Sequence, residues 1–168
     1  HSFGNVTFGI CAFAYTPKLE SMPTKGTVKF YNNDASFAFY RSSFNNDISG
    51  WDTSSITNMS HMFQGASAFN QPIENWDVSS VTDMSYMFAE TNEFFDVHYV
   101  PSPSVFNQPL NNWNVSNVTY MDHMFWRSKA FDQPLDNWNV SNVTSMNAMF
   151  TDSVLNQENY CKTVKGPY

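Results

Sequence analysis

The sequence predicts an α/β solenoid with one short parallel strand and one short helix in every rung. Three observations lead there. A phrase of 20 residues from Phe44 to Phe63 returns as Phe69 to Phe88, Phe106 to Phe125 and Phe131 to Phe150. The step is 25 residues from Phe44 to Phe69 and again from Phe106 to Phe131. Within each copy an alternating segment gives way to one with helical spacing. A fixed period of this kind marks one supersecondary unit stacked on copies of itself, and not a pocketed enzyme fold.

Each copy opens on Phe44, Phe69, Phe106 or Phe131, followed by Ile48, Ile73, Leu110 or Leu135. A tryptophan comes next (Trp51, Trp76, Trp113, Trp138), then Thr53, Val78, Val115 or Val140 two residues on. That alternation has the period of a strand, so both side chains are expected to face inward. The residues between them, Asp52, Asp77, Asn114 and Asn139, are expected to face outward. Ile56, Val81, Val118 or Val143 then leads to Met59, Met84, Met121 or Met146 and to the pairs Met62-Phe63, Met87-Phe88, Met124-Phe125 and Met149-Phe150. Spacings of i, i+3, i+6 and i+7 predict a helix of about two turns. Ser55, Ser80, Asn117 and Asn142 stand where its N-cap belongs. A return loop with Asn70-Gln71-Pro72, Asn107-Gln108-Pro109 or Asp132-Gln133-Pro134 ends each copy, because proline stops both helix and ladder pairing. The whole resembles a leucine-rich repeat. A helix this short is not stable alone, so burial of Trp, Met and Phe between rungs must hold it, at roughly 1.5–3 kcal/mol per large side chain. An all-β solenoid with Val-Thr-x-Met as a second strand is the competing fold.

The chain reads as a single repeat domain: an N-terminal cap over 1–25, a decayed repeat over 26–43, four full repeats over 44–155 and a C-terminal cap over 156–168. Stepping back one period from Thr53, Ile56 and Met62 lands on Val28, Tyr31 and Phe37, all apolar. The step from Phe69 to Phe106 is 37 residues, which places an insertion near 92–104. That loop carries Phe94, Phe95, Val97, Tyr99, Val100, Pro101 and Pro103. Trp126 lies nearby in the next copy, in a slot held elsewhere by Gln64, Ala89 and Thr151. A regular scaffold puts its specificity in such loops, so Phe94, Phe95, Tyr99, Trp126 and Arg127 are the expected partner-binding residues. The other reading folds Phe94 and Phe95 onto Trp126 as a satellite core.

Composition narrows the function classes. Of 168 residues 17% are aromatic and 14% charged, against roughly 25% charged in ordinary soluble proteins. Formal net charge is −7, with 12 Asp or Glu and only Arg127 and Lys129 between Phe44 and Asn156. An acidic array repels phosphate backbones, which argues against nucleic acid as a partner. No apolar run approaches the roughly 20 residues of a membrane span. The chain begins at His1, which suggests a processed, exported or organelle-lumen protein with an upstream segment removed. Cys11 and Cys161 lie at opposite ends of the sequence, and a bridge would require one terminus to fold back along the stack.

The segment from Phe69 to Phe88, with its three sister copies, resembles the bacterial surface-protein repeat of BspA-like proteins. That repeat also occurs in mycoplasma lipoproteins and in unicellular eukaryotes including algae. The motif Trp-x-Val-Ser-x-Val-Thr-x-Met-x-x-Met-Phe carries the likeness over about two thirds of the chain. The resemblance implies a leucine-rich-repeat-like solenoid on an exported protein, used for adhesion or assembly, with no catalytic residues to transfer. It is silent on the inserted loop and the ends.

Other constellations point nowhere specific. No Gly-rich phosphate loop, nucleophile elbow or zinc-helix motif is present, and the glycines number 6. His61 and His123 share one slot with Tyr86 between them, which a solvated helix face explains. Glu93, Asp96 and His98 are ligand-type residues on a single loop, weak grounds for zinc. The Asp52, Asp77, Asn114, Asn139 column with Ser54, Ser79, Ser116 and Ser141 could seat calcium or ice, but hydrogen-bonded polar ladders suffice. Thr57, Thr82, Thr119 and Thr144 are expected to cap the helix start. Six Asn-x-Ser/Thr sequons occur, at Asn5, Asn58, Asn114, Asn117, Asn139 and Asn142; Asn5, outside the repeats, is the credible glycan site. No cofactor and no catalytic activity are expected. The leading expectation is an extracellular, cell-surface or lumenal module that binds another protein through the inserted aromatic loop. The alternatives are an accessory subunit docked on a larger assembly, and a carbohydrate-binding surface protein.

Overall fold

The computed structural model describes residues 7–16, 22, 24–91 and 103–154. The described residues form no α-helix, so the α/β solenoid with a helix per repeat is overturned. In order, the regular elements are β1 (Thr7–Phe8), β2 (Lys25–Thr27), β3 (Lys29–Phe30), a 3-10 turn at Tyr31–Asn33 and β4 (Gly50–Asp52). β1 pairs with β3 and β2 with β4, both in parallel, with Gly26 opposite Trp51. Only the first full copy therefore turns its tryptophan segment into a strand. From there single-residue parallel bridges carry the register: Asp34 to Asn58, Asn58 to Asp83, Asp83 to Tyr120 and Tyr120 to Ser145. Each bridge falls on the x of Val-Thr-x-Met.

The segment expected to be helical is a run of tight turns, and its backbone hydrogen bonds say why. Met62, Gln64 and Ala66 donate their N–H three residues back, to the carbonyls of Met59, His61 and Phe63. The residues between them, Met59, His61, Phe63 and Gly65, donate outward to Asp83, Ser85, Met87 and Ala89 of the next copy. The same alternation recurs at Ala35 to Ser42, at Met84 to Glu90 and at Met121 to Ser128. An α-helix would keep all of these N–H groups for itself. The switch is made by left-handed residues, with φ of 58° at His61, 58° at Tyr86, 56° at His123 and 51° at Ala148. A side-chain-bearing residue in that region cannot continue a right-handed helix. The three-residue spacing of Met59, Met62 and Phe63 is real, but turns closed by i→i−3 bonds satisfy it as well as a helix does.

Inward and outward slots fall where the alternation places them. Ile48, Ile73, Leu110 and Leu135 are buried, as are the four tryptophans, Thr53, Val78 and Val115, while Asp52, Asp77, Asn114 and Asn139 are exposed. The core is made of ring columns. Phe13, Phe39, Phe63, Phe88, Phe125 and Phe150 stack with centroids 5.1, 5.2, 5.8, 5.6 and 5.6 Å apart. Phe44, Phe69, Phe106 and Phe131 form a second column at 6.4, 6.0 and 6.2 Å. Trp51 stacks on Trp76 at 6.3 Å and Trp113 on Trp138 at 6.5 Å. The indole N–H groups of Trp76, Trp113 and Trp138 donate back to the carbonyls of Ile48, Ile73 and Leu110, so no polar atom of the column is stranded.

Polar ladders stitch the outside. The Asn45 carboxamide oxygen accepts from the Asn70 N–H and the Gln71 side chain, and Asn70 and Asn107 repeat the arrangement one copy on. Thr57, Thr82, Thr119 and Thr144 do not cap helices; each hydroxyl donates to the carbonyl of the preceding rung, at Asn33, Thr57, Thr82 and Thr119. The proposed N-caps also serve neighbours: Ser80 donates to Ser54, Asn117 to Ser79 and Asn142 to Ser116. Before the first full copy the step shortens. Val28 holds the slot of Thr53, but Asp34 bridges Asn58, and so Ala38, not Phe37, fills the slot of Met62. Tyr31 is turned out to solvent, and Phe37 stacks on His61 instead of entering the core.

Two substitutions test this geometry. Ala148→Gly relieves a left-handed alanine and should raise unfolding free energy by about 0.5–1 kcal/mol in urea, whereas in a helix it would cost about 1 kcal/mol. Phe88→Ala removes a fully buried ring from the middle of its column and should cost about 3–5 kcal/mol by the same measurement.

Candidate functional site

The left-handed slot forms a half-buried ridge along one side of the stack. Phe37, His61, Tyr86 and His123 occupy it, with ring centroids 4.3, 4.7 and 4.6 Å apart and planes within 7° of parallel. These histidines do not lie on a solvated helix face. They are spacers in an aromatic column, and their flat faces are covered by their neighbours. His61 Nδ1 lies 2.6 Å from the Gln64 Oε1, and the Gln64 Nε2 donates to the Glu90 carbonyl. Since the Gln64 oxygen only accepts, His61 carries its proton on Nδ1. Burial pushes the His61 pKa below 6.5, against the opposing pull of the Gln64 hydrogen bond and the Asp83 charge.

Two copies on, the slot of Gln64 holds Trp126. His123 therefore has no carboxamide beside it, and its buried Nδ1 has no hydrogen-bond partner among the described residues. The Trp126 ring stands edge-on to His123 at 6.4 Å, and the Arg127 guanidinium sits 4.7 Å over the Trp126 centroid. Arg127 is itself left-handed, with φ 56°, and its Nε lies 3.6 Å from Asp152. Arg41, Gly65 and Asp152 hold the matching slot with φ of 53°, 67° and 59°. Glu90, which also belongs there, is not among the left-handed residues, and 92–102 follow directly after Thr91. The second left-handed corner is thus absent at Glu90, just before the insertion. Gly65 is required beside Thr91, because a Cβ there would lie 2.6 Å from its side chain.

Of the residues expected to bind a partner, Trp126 and Arg127 meet at this corner, half-buried. Phe94, Phe95 and Tyr99 lie outside the described residues, as do Asn5, Cys161, Glu93, Asp96 and His98. Cys11 is a free, exposed thiol. Sequence reasoning missed the ridge, for the shared slot of His61, Tyr86 and His123 was visible but its left-handed backbone was not. On the opposite side, Asp52, Asp77 and Asn114 each accept the N–H and hydroxyl of the serine two residues on, and Asn139 accepts the Ser141 N–H. The Ser79 hydroxyl and N–H hold the Asp77 carboxyl below its ordinary range. These oxygens already serve local turns, and among the described residues no group of three His, Cys, Asp or Glu is gathered to hold a metal. The Nδ2 groups of Asn117 and Asn142 donate inter-rung bonds to the Ser79 and Ser116 carbonyls.

The ridge carries a pH dependence. A histidine whose pKa falls on folding contributes stability above 6.5 that is lost as pH drops through its folded value. His61→Phe should therefore flatten the fall in melting temperature between pH 7 and pH 5, measured against the unmodified chain in low salt.

Among the described residues no helix is long and apolar enough to cross a membrane. No curated protein and no solved structure matches the chain. A protein-family model described as a Mycoplasma protein of unknown function, DUF285, matches residues 32–162, which take in part of the decayed copy, all four full copies and the insertion between them. Because the match covers well over half of the sequence, the chain belongs to that family.

Proposed function

We propose that the chain is a non-catalytic interaction module, placed outside the cytoplasm on a surface or in a lumen, that binds another protein at the corner beside the start of its insertion. The observation that carries this reading is the break in regularity at Glu90 and Thr91, with Trp126, Arg127 and Asp152 assembled beside it. A rigid stack with one irregular corner offers a fixed platform and one specific epitope. An aromatic ring capped by arginine is the kind of anchor that dominates protein interfaces. The BspA-like resemblance supports a role in adhesion or assembly, and the mycoplasma family match supports no more than the surface placement. Both faces of His61 and Tyr86 are covered by ridge rings at 4.3–4.7 Å, which disfavours sugar stacking on them and ranks the carbohydrate reading below the protein one.

The experiment begins with what cross-links to the chain in its native source. Deleting residues 92–104, or changing Trp126→Ala with Arg127→Glu, should abolish capture of that partner while leaving the melting temperature within a few degrees. If capture survives both changes but fails when 1–25 are trimmed, the docked accessory subunit replaces this reading. Hits on a glycan array that Trp126→Ala removes would favour the carbohydrate reading.

A further inference from the structure

Along the ridge, the left-handed slot and the slot three residues on are matched. Gln64 follows His61, Ala89 follows Tyr86 and Thr151 follows Ala148. Of these, only His61 has a ring nitrogen to satisfy, and only it receives a carboxamide. His123 breaks the rule. Its backbone is the same, with φ 56° against 58° at His61, and the N–H three residues on closes the same turn onto its carbonyl. It stacks on Tyr86 at 4.6 Å as His61 does at 4.7 Å. Yet Trp126 stands where the carboxamide belongs, and the buried His123 Nδ1 has no partner among the described residues. A bare buried nitrogen is a standing cost to the fold, and local rules of this kind are broken where function requires it. The indole in that place is not tied down. Trp76, Trp113 and Trp138 are each tethered through the ring N–H, whereas no such bond holds Trp126 among the described residues. The rest of the socket is present. Gln64 Nε2 donates to the Glu90 carbonyl, 26 residues on. The same step from Trp126 reaches the Asp152 carbonyl, which accepts from Lys129 Nζ and has a second lone pair to offer.

We propose that His123 is a partner-binding residue, and that the corner takes a carboxamide in the place Gln64 holds beside His61. The ligand is a glutamine or asparagine side chain of the bound protein. The half-buried Trp126 ring turns aside to admit it. The carboxamide oxygen accepts from His123 Nδ1–H, and its NH2 donates to the Asp152 carbonyl. Both bonds have their template in the first copy. A carboxylate reproduces only one of them, for it has no proton to give the carbonyl, and its charge would lie beside Asp152. In the free chain His123 has no acceptor at Nδ1, so its proton belongs on Nε2; binding moves it to Nδ1 by exchange with solvent. This inference rests on the corner being the binding site and names the chemistry read there.

Long-range nitrogen–proton NMR of the imidazoles in the full chain tests it, at about pH 8 where a free imidazole is neutral. The unmodified chain should show His61 protonated on Nδ1 and His123 on Nε2. Saturating N-acetylglutamine methylamide should convert His123 to the His61 pattern and leave His61 unchanged. The glutamate and methionine analogues of that probe should leave both as they were. Trp126→Gln, which builds the carboxamide into the chain, should give the same conversion without any probe. No conversion by the glutamine probe or by Trp126→Gln, or equal conversion by the glutamate analogue, would overturn the proposal. So would a free chain in which His123 already carries its proton on Nδ1. If Trp126→Gln does not melt cooperatively, the probes on the unmodified chain decide alone. With the captured partner, His123→Phe should weaken binding roughly tenfold through the lost hydrogen bond, and unchanged affinity would count against the proposal. Phenylalanine is the ring that Phe37 already places in this column. The two readings fail separately. If Trp126→Ala with Arg127→Glu abolishes capture while the probe leaves His123 unmoved, the corner stands as the site and only the carboxamide is lost.

Discussion

Everything in this fold depends on how the backbone divides its N–H groups. Alternate residues of the Met-x-x-Met-Phe segment send one hydrogen bond to the next rung and one three residues back. Each such bond is worth on the order of 0.5–1.5 kcal/mol net, and an unmade one in a buried rung costs more. Shared in this way, the bonds hold each turn closed and fix the rung-to-rung register together. The ring columns follow from that register, because successive rungs lie near the inter-strand spacing of about 4.8 Å. Phe39, Phe63 and Phe88 then fall into face-to-face contact at 5.2 and 5.8 Å. The side chains do not impose the stack by themselves; they fill the slots that the backbone sets.

The left-handed corners explain both the regularity and its failure at Glu90 among the described residues. Non-glycine residues pay a steric penalty there, and the ridge offsets it by stacking His61 between Phe37 and Tyr86. The second corner is left out at Glu90, just before the insertion. Beyond the insertion the Ser104 hydroxyl accepts the Phe106 N–H, and the phenylalanine column continues from Phe69 to Phe106 at 6.0 Å despite the longer step.

The sequence alone was enough to place the core. Trp76, Val78, Ile73, Met84 and Phe88 repeat too regularly to be anything but inward slots, and each is buried. It was not enough to choose between helix and turn, because buried residues three apart satisfy either. The deciding residues, His61, Tyr86, His123 and Ala148, are of ordinary type, and only a glycine in their place would have signalled positive φ. The shortened step before Asp34 was hidden for a different reason: Phe37 is apolar and fits the expected register by type, yet Ala38 is what enters the core. At the corner, Trp126 and Arg127 were legible as departures from the repeat, whereas the lone Nδ1 of His123 was not, because it results from Trp126 having displaced the glutamine that serves His61.

The central claim is that these N–H groups reach across rungs instead of along a helix. Amide NOEs in solution decide it most directly. The account predicts a contact between the amide proton of His61 and the backbone around Ser85, with a strong intraresidue HN–Hα NOE at His61 and Tyr86 from their positive φ. A continuous series of sequential amide contacts from Met59 to Phe63, with i→i+3 contacts and no signal to Ser85, would contradict it.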